Sequence, residues 1–255
     1  MKDLFSPDGL RLLESFCYAN TLFAFDFDGT LAPIVADPEA AACRPCVREA
    51  LDRLAQLAPV AILSGRGLRD LRPRLPDSIR HVAGNHGLEG LGISARDAER
   101  ARRQARGWLR EIGEWRGPPG LEVEDKAYSV SLHYRHAKSR REAKTRIERK
   151  VLELSPAPRI IPGKCVVNLL PEGAPHKGIA LMNAMERTRT RAAIYVGDDD
   201  TDEDVFRLPA PPRVLSIRVG KKATSGARFY LAKQGQILAL IREVIRHVEA
   251  RGARP

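Results

Sequence analysis

Two aspartates separated by a single phenylalanine close an apolar, β-prone run. Thr21 to Phe27 reads T-L-F-A-F-D-F, and the chain continues as D-G-T-L to Leu31. Ligands of open α/β sheets sit beyond the C-terminal ends of strands, where this spacing would put the carboxylates of Asp26 and Asp28. Gly29 lets the chain turn away sharply. The pattern D-x-D-G also opens calcium loops, but an EF-hand loop needs further ligands, a closing Glu and a helix on each side. Here a strand-like run precedes and L-A-P-I follows. A second acidic group, G-D-D-D-T-D-E-D at Gly197 to Asp204, follows another apolar run. An acidic stretch alone is commonly a solvated loop or a helix start. Placed behind a strand of the same sheet, it becomes a metal-site candidate, because Mg²⁺ typically takes one or two carboxylates plus phosphate oxygens and waters. Ser64, in L-S-G-R, and Lys177, in H-K-G, stand at the end of a strand-like run and at the start of a helix-like one. Singly they read as a cap and a solvated lysine. In the order acid pair, Ser, Lys, acid cluster, they compose a site for phosphoryl transfer.

The elements that must position these groups are legible as short apolar runs separated by helical stretches. Val60 to Leu63, His81 to Ala83, Ala192 to Val196 and Val214 to Ile217 join Thr21 to Phe27 as strands, and Arg44 to Leu57 and Lys177 to Arg187 read as helices. That alternation predicts a parallel sheet covered on both faces. The middle of the chain differs. Ser94 to Trp115 and Ala137 to Leu154 read as charged helices, with strands at Leu121 to Val123, Tyr128 to Tyr134, Arg159 to Ile161 and Cys165 to Leu170. This is an α+β unit set inside an α/β chain, with crossings at Gly90 to Ile93 and Pro171 to His176.

The chain has 255 residues, enough for a core domain and a smaller second one. No apolar run reaches the roughly 18–20 residues needed to span a bilayer, and the N-terminus shows no signal-peptide pattern; a cytoplasmic address without membrane association is the expectation. The formal net charge is +11, and residues 93–172 hold 18 Lys+Arg against 11 Asp+Glu, so this stretch supplies +7 of it. Its basic residues are interleaved with Glu and come without a zinc-finger or aromatic RNA-binding signature, which argues for solvated helix faces rather than nucleic-acid binding. Of four cysteines, Cys43 and Cys46 form one C-x-x-C without the second pair a structural zinc site would need, and are read as free thiols.

The four chemical signals resemble those of the haloacid dehalogenase superfamily, and more narrowly the trehalose-6-phosphate phosphatase family. The resemblance rests on Asp26 to Ile34 (D-F-D-G-T-L-A-P-I), Ser64 to Arg66 (S-G-R), Gly84 to Glu89 (G-N-H-G-L-E), Glu124 to Lys126 (E-D-K) and His133 to Arg135 (H-Y-R). It continues through Gly163 to Val167 (G-K-C-V-V), His176 to Gly178 (H-K-G) and Gly197 to Phe206 (G-D-D-D-T-D-E-D-V-F). It implies a Rossmann-like core, residues 1–92 and 173–255, with an α+β cap inserted as residues 93–172. It implies hydrolysis of a small sugar phosphate, trehalose-6-phosphate first, by a chain expected to act as a monomer. Asp26 would be the nucleophile and Asp28 the acid and base. Mg²⁺ would be held by Asp26, Asp28, Asp198 and Asp199, with Asp202 behind them. Ser64, Gly65, Arg66 and Lys177 would hold the phosphate. Asn85, His86, Glu124, Lys126, Arg135 and Asn168 would meet the sugar.

One stretch departs from the family pattern. Where the family has V-E-x-[KR]-P before H-K-G, this chain reads V-N-L-L-P, with Asn168 and Leu170 in the places of an acid and a base. A neutral amide can bond a hydroxyl but carries no charge, and leucine can bond neither a hydroxyl nor a phosphate. A related phosphatase acting on another sugar phosphate, such as a glycosyl-phosphoglycerate, is the alternative expectation.

Overall fold

The computed structural model describes residues 1–91, 93–163, 165–210 and 213–252; Lys164 of the G-K-C-V-V stretch therefore lies outside the described residues. The chain divides into two compact units, Met1–Gly92 with Pro175–Pro255, and Ile93–Ala174. In chain order the strands are β1 (Lys2–Asp3), β2 (Thr21–Phe25), β3 (Val60–Leu63), β4 (His81–Ala83), β5 (Glu122–Asp125), β6 (Val130–His133), β7 (Arg159–Gly163), β8 (Val166–Leu170), β9 (Ala192–Gly197), β10 (Arg213–Val219) and β11 (Phe229–Leu231). The helices are α1 (Pro7–Glu14), α2 (Pro45–Leu57), α3 (Leu68–Leu71), α4 (Ala95–Gly113), α5 (Arg140–Val151), α6 (Lys177–Thr188), α7 (Glu203–Phe206) and α8 (Ile237–Gly252).

The first unit is an α/β layer structure on a seven-stranded parallel sheet in the order β1-β11-β10-β9-β2-β3-β4. Alternation along the central strands sorts their side chains onto two faces. Phe23, Phe25, Ile62, Ile194 and Val196 pack with α2 and α8 on one side. Leu22, Ala24, Ala61, Leu63 and Tyr195 pack with α6 and α7 on the other. The small residues Ala24, Ala61 and Ala83 on the second face leave room for the Ala180, Leu181 and Ala184 stripe of α6. From β2 the sheet grows through β3 and β4 to one side and through β9 to β11 to the other. The crevice at such a reversal is where doubly wound sheets bind ligands, and here it falls between the ends of β2 and β9. Sequence reading missed β1 and β11, which are two and three residues long and carry no periodicity to detect. Among the described residues no helix is long and apolar enough to cross a membrane.

The second unit is a four-stranded antiparallel sheet, β5-β6-β8-β7, with α4 and α5 against one face. Its helices are among the most polar in the chain, yet α4 buries Ala101, Ala105, Trp108 and Ile112, a stripe at helical spacing. These meet Val130, Leu132, Val167 and Leu169 from the sheet and Ala143, Ile147 and Val151 from α5. Ser94 and Ser139 accept the N–H groups of Asp97 and Glu142 and so set where the two helices begin. β6 starts at Val130, two residues later than its sequence pattern suggests, because Ala127 takes a left-handed φ of 66° in the turn before it.

Trp108 is fully buried at the centre of the second unit, and its indole N–H donates to the carbonyl of Pro156 at 2.7 Å. Trp108→Ala is expected to destabilise that unit by about 3–5 kcal/mol, measured by urea unfolding followed by circular dichroism. A loss below about 1 kcal/mol would contradict this core assignment.

Candidate active site

The register of the central strands decides which acids meet. Phe25 pairs with Val196, and the amide of Asp26 donates to the carbonyl of Val196 at 2.8 Å. Asp26 therefore leaves β2 directly beside the acidic loop that leaves β9. Oxygens of Asp26, Asp198 and Asp202 lie within 4.8 Å of one another. Lys177, at the N-terminus of α6, reaches into this group and donates to Asp26 Oδ1 at 2.7 Å and to Asp202 Oδ1 at 2.6 Å. Lys177, Asp26 and Asp202 are all buried.

Asp202 holds the loop together. Its Oδ2 accepts the amides of Asp198 and Asp199, each at 2.8 Å, and its Oδ1 also accepts the Tyr195 hydroxyl at 2.6 Å. Asp199 turns outward instead, where its Oδ1 accepts the Asp200 amide, so its carboxylate lies outside the cluster of three. Arg218, buried in β10, clamps the same loop by donating to the Asp199 carbonyl at 3.0 Å. Sequence reading picked out neither Tyr195 nor Arg218, since a lone tyrosine or arginine inside a strand carries no local signal.

The electrostatics follow from burial. Burial pushes Asp26 well above the ordinary carboxylate range; the Lys177 charge opposes this, and Asp202 and Asp198 add to it. Burial, with Asp202 beside it, pushes Asp198 up to about 7. Burial works against the Lys177 charge too, but Asp202 and Asp26 outweigh it and hold the ammonium well above its usual value. Asp198 Oδ1 is buried with no hydrogen-bond partner. Three carboxylates facing one lysine leave a deficit of positive charge, and all the donors are oxygens. This donor set fits a hard divalent cation such as Mg²⁺.

Ser64 follows β3, its amide tied to the Ala83 carbonyl at 2.9 Å, and its Oγ accepts the Arg66 amide at 3.1 Å. That leaves the hydroxyl hydrogen to donate. Arg66 is committed elsewhere. Its Nε and Nη2 grip the two oxygens of Asp28 at 2.7 Å each, its Nη1 donates to Asp70 at 2.7 Å, and its guanidinium lies over the Phe27 ring. The fork expected on the phosphate is thus spent on Asp28. The loop at Asn85 and His86, both buried with left-handed φ, returns hydrogen bonds from its amides to the carbonyls of Arg66 and Ser64. Gly65 belongs to this contact: a Cβ there would lie 2.6 Å from His86 Cε1.

The remaining expected residues belong to the second unit. Glu124 in β5 accepts a hydrogen bond from His133 Nε2 at 2.8 Å and faces Lys126 Nζ at 3.7 Å. Burial works against the Glu124 charge, but His133 and Lys126 hold its carboxyl below the ordinary value. Arg135 lies in the turn after β6, beyond the row where Glu122 pairs with His133. Asn168 is buried, its Oδ1 accepting from Ser131 at 2.6 Å and its Nδ2 donating to the Ile161 carbonyl at 3.2 Å. Its amide is occupied between strands, a placement that sequence spacing could not reveal. Cys43 and Cys46 are unpaired, and burial pushes the Cys43 thiol up to about 11, opposite to the shift of an activated thiol.

The fold is shared with a solved haloacid dehalogenase-like hydrolase. A Bacteroides thetaiotaomicron protein described in those words superposes with a TM-score of 0.56 at 12% identity, over 88% of this chain and 99% of that one. The C-terminal domain of Candida albicans trehalose-6-phosphate phosphatase superposes with a TM-score of 0.69 at 21% identity, over 93% and 96%. The chain belongs to the trehalose-phosphatase family, whose model matches residues 24–231. The trehalose-phosphate phosphatase of Mycobacterium tuberculosis strain H37Rv is 35% identical over 222 residues, covering 80% of this chain and 56% of that protein. That of Mycolicibacterium paratuberculosis is 38% identical over 195 residues, 71% of this chain and 49% of that one. The chain thus spans about half the length of these curated relatives.

Gly29 makes the approach of Asp198 possible. It has a φ of 79°, and a Cβ on it would lie 2.1 Å from Asp198 Oδ2. Gly29→Ala combines a left-handed alanine with that clash and is expected to cost about 1–3 kcal/mol of stability, read from the urea midpoint. An unchanged midpoint would contradict the packing of this turn against Asp198.

Proposed function

We propose that this protein is a phosphomonoesterase that hydrolyses trehalose-6-phosphate through a phosphoryl group carried on Asp26. The observation that carries this reading is the Asp26 carboxylate itself, held at the C-terminal end of β2 by Lys177 and beside Asp198. The names of the relatives supply the substrate.

The chemistry balances in two steps. An Asp26 oxygen attacks phosphorus, the bond from phosphorus to the sugar oxygen breaks, and Asp28 gives a proton to the departing sugar. Water then attacks the phosphorus, Asp28 takes its proton, and phosphate leaves with Asp26 restored. Arg66 keeps both oxygens of Asp28 oriented between the two proton transfers. Lys177 and the Ser64 hydroxyl hold phosphate oxygens, and Lys177 offsets part of the charge that collects there. Asp26 and Asp198, with the main-chain carbonyl of Asp28, would hold Mg²⁺, and Asp199 and Asp202 support that site. A bound Mg²⁺ shields the carboxylate from the negative phosphate. In the inserted unit Glu124, Lys126 and Arg135 serve the sugar hydroxyls.

A second reading, the same chemistry on another sugar phosphate such as a glycosyl-phosphoglycerate, is favoured by Asn168. Its amide is occupied by Ser131 and Ile161, and it carries no charge to offer trehalose. A phosphate-release panel over sugar phosphates separates the two readings.

Asp26→Asn replaces a nucleophile with a near-isosteric amide. Less than a tenth of the wild-type rate is expected to remain, a barrier increase of at least about 1.4 kcal/mol, with the melting temperature preserved or raised. A rate above that level would end the covalent reading.

Chelation by EDTA is expected to silence phosphate release, and added Mg²⁺ to restore it. Asp198→Ala is expected to raise the Mg²⁺ requirement at least tenfold or remove activity. Full activity in EDTA would exclude the metal from the mechanism.

A further inference from the structure

Arg66, Asp70 and Arg74 recur at a spacing of four residues, across α3 and the 3₁₀ turn that follows it at Arg72–Arg74. On a helix that spacing makes side chains neighbours, and here the three form an alternating chain of charges. Arg66 Nη1 donates to Asp70 Oδ2 at 2.7 Å, and Arg74 Nε donates to Asp70 Oδ1 at 3.0 Å. Arg74 Nη2 bonds the same Oδ1. Burial works against the Asp70 charge, but Arg74 and Arg66 hold its carboxyl below the ordinary carboxylate range. At the far end of the chain of charges stands Asp28, with one oxygen on Arg66 Nε and the other on Nη2.

Both arginines are also tied to the segment downstream of the D-F-D-G-T-L stretch. Arg66 Nη2 donates to the Pro38 carbonyl at 2.7 Å, and Arg74 Nη1 donates to the carbonyls of Glu39 and Ala41 at 2.8 and 2.6 Å. The side chains of Arg66 and Arg74 are only 12% and 16% exposed, against 40% for Asp28, so the guanidiniums are walled in while Asp28 keeps an open side. A carboxylate has about four lone-pair sites. The Arg66 fork uses one on each Asp28 oxygen, and the open side leaves the others to a reacting group. The fork fixes the plane of that carboxylate only if the guanidinium is itself fixed. Its Nε and Nη2 are taken by Asp28, so Nη1 is the corner left to anchor, and Asp70 anchors it. Without Asp70, two positive charges would be left with no carboxylate between them.

We propose that Asp70 is a positioning residue that acts through Arg66, fixing the guanidinium whose fork sets the plane of Asp28 for proton transfer to the departing sugar oxygen. This rests on the acid and base role given to Asp28 above. In that step the bond from phosphorus to the sugar oxygen breaks, its electron pair goes to the sugar oxygen, and the Asp28 proton joins it, which leaves Asp28 ionised. Leaving groups differ in their need for that proton. A sugar alkoxide needs it, whereas 4-nitrophenolate departs as a stabilised anion. Because kcat/KM covers only the steps through phosphorylation of Asp26, a misplaced Asp28 lowers it for a sugar phosphate far more than for the aryl phosphate.

The experiment compares wild type, Asp28→Asn, Arg66→Ala, Asp70→Asn and the Arg66→Ala/Asp70→Asn double variant, assayed with Mg²⁺ on trehalose-6-phosphate, glucosyl-3-phosphoglycerate and 4-nitrophenyl phosphate. On the sugar phosphate that wild type prefers, Asp70→Asn is expected to lower kcat/KM about 10- to 100-fold, part of the roughly 10²–10⁴ that general acid–base catalysis contributes. The loss is expected in kcat, with KM little changed. On 4-nitrophenyl phosphate the loss is expected to be about tenfold smaller or less. In the Arg66→Ala background, Asp70→Asn is expected to cost nothing further, because effects carried through a shared partner do not add. Equal losses on sugar and aryl substrates would make Asp70 a support of the fold, and losses that multiply in the double variant would mean that it does not act through Arg66; either result overturns the proposal. If Asp28→Asn separates the sugar phosphate from the aryl phosphate and Asp70→Asn does not, the proposal alone fails. If Asp28→Asn does not separate them, or wild type hydrolyses no sugar phosphate, the reading of Asp28 fails and takes the proposal with it.

Discussion

Lys177 sits between two buried carboxylates, 2.7 Å from Asp26 and 2.6 Å from Asp202, and the arrangement of the first unit follows from the need to keep that triad together. Taking three charges out of water costs several kcal/mol for each ion. The arrangement persists only because every charge has close partners and the surrounding elements fix their positions. β2 delivers Asp26, β9 delivers Asp198 and the loop that ends in Asp202, and α6 delivers Lys177 at its first residue. The small residues beneath α6 set its distance from the sheet. Tyr195 and two backbone amides complete the shell of Asp202. The triad still carries net negative charge, with Asp198 beside it and one Asp198 oxygen unpartnered. That residual charge is what distinguishes the cluster from a closed structural ion pair and fits a hard divalent cation.

Two arginine forks in this chain have different surroundings. Arg66 closes on Asp28 and Asp70, so its donors are used and its effect is to orient a neighbour. Arg159, in β7, buries Nε and Nη2 without a hydrogen-bond partner among the described residues.

Much of the first unit was legible in the sequence. Asp26, Asp198, Ser64 and Lys177 each stand at the end of an apolar run or at the start of a helix, and buried parallel strands write themselves as short apolar runs. The expected strands at residues 60–63, 81–83 and 192–196 are observed as β3, β4 and β9 within one residue. The second unit was less legible. Antiparallel sheet residues alternate between core and polar face, and only the register tells which polar residues become neighbours. Asn168 could be placed in a strand from its pattern, but its bonds to Ser131 and Ile161 depend on two other strands.

The sequence by itself determined the α/β class, the inserted α+β stretch, the strand-end acids and the lysine at a helix start. These are properties of local composition and of spacing along one segment, so they survive without any knowledge of long-range contacts. Tertiary structure alone decided the partners. It turned Arg66 onto Asp28, set Asp202 rather than Asp199 in the cluster, brought Tyr195 to the loop and left Nε and Nη2 of Arg159 without an acceptor. The physical reason is that a side chain's hydrogen bonds are set by groups tens of residues away along the chain. Which of those groups lies within 3 Å depends on sheet order and register, which no single segment encodes.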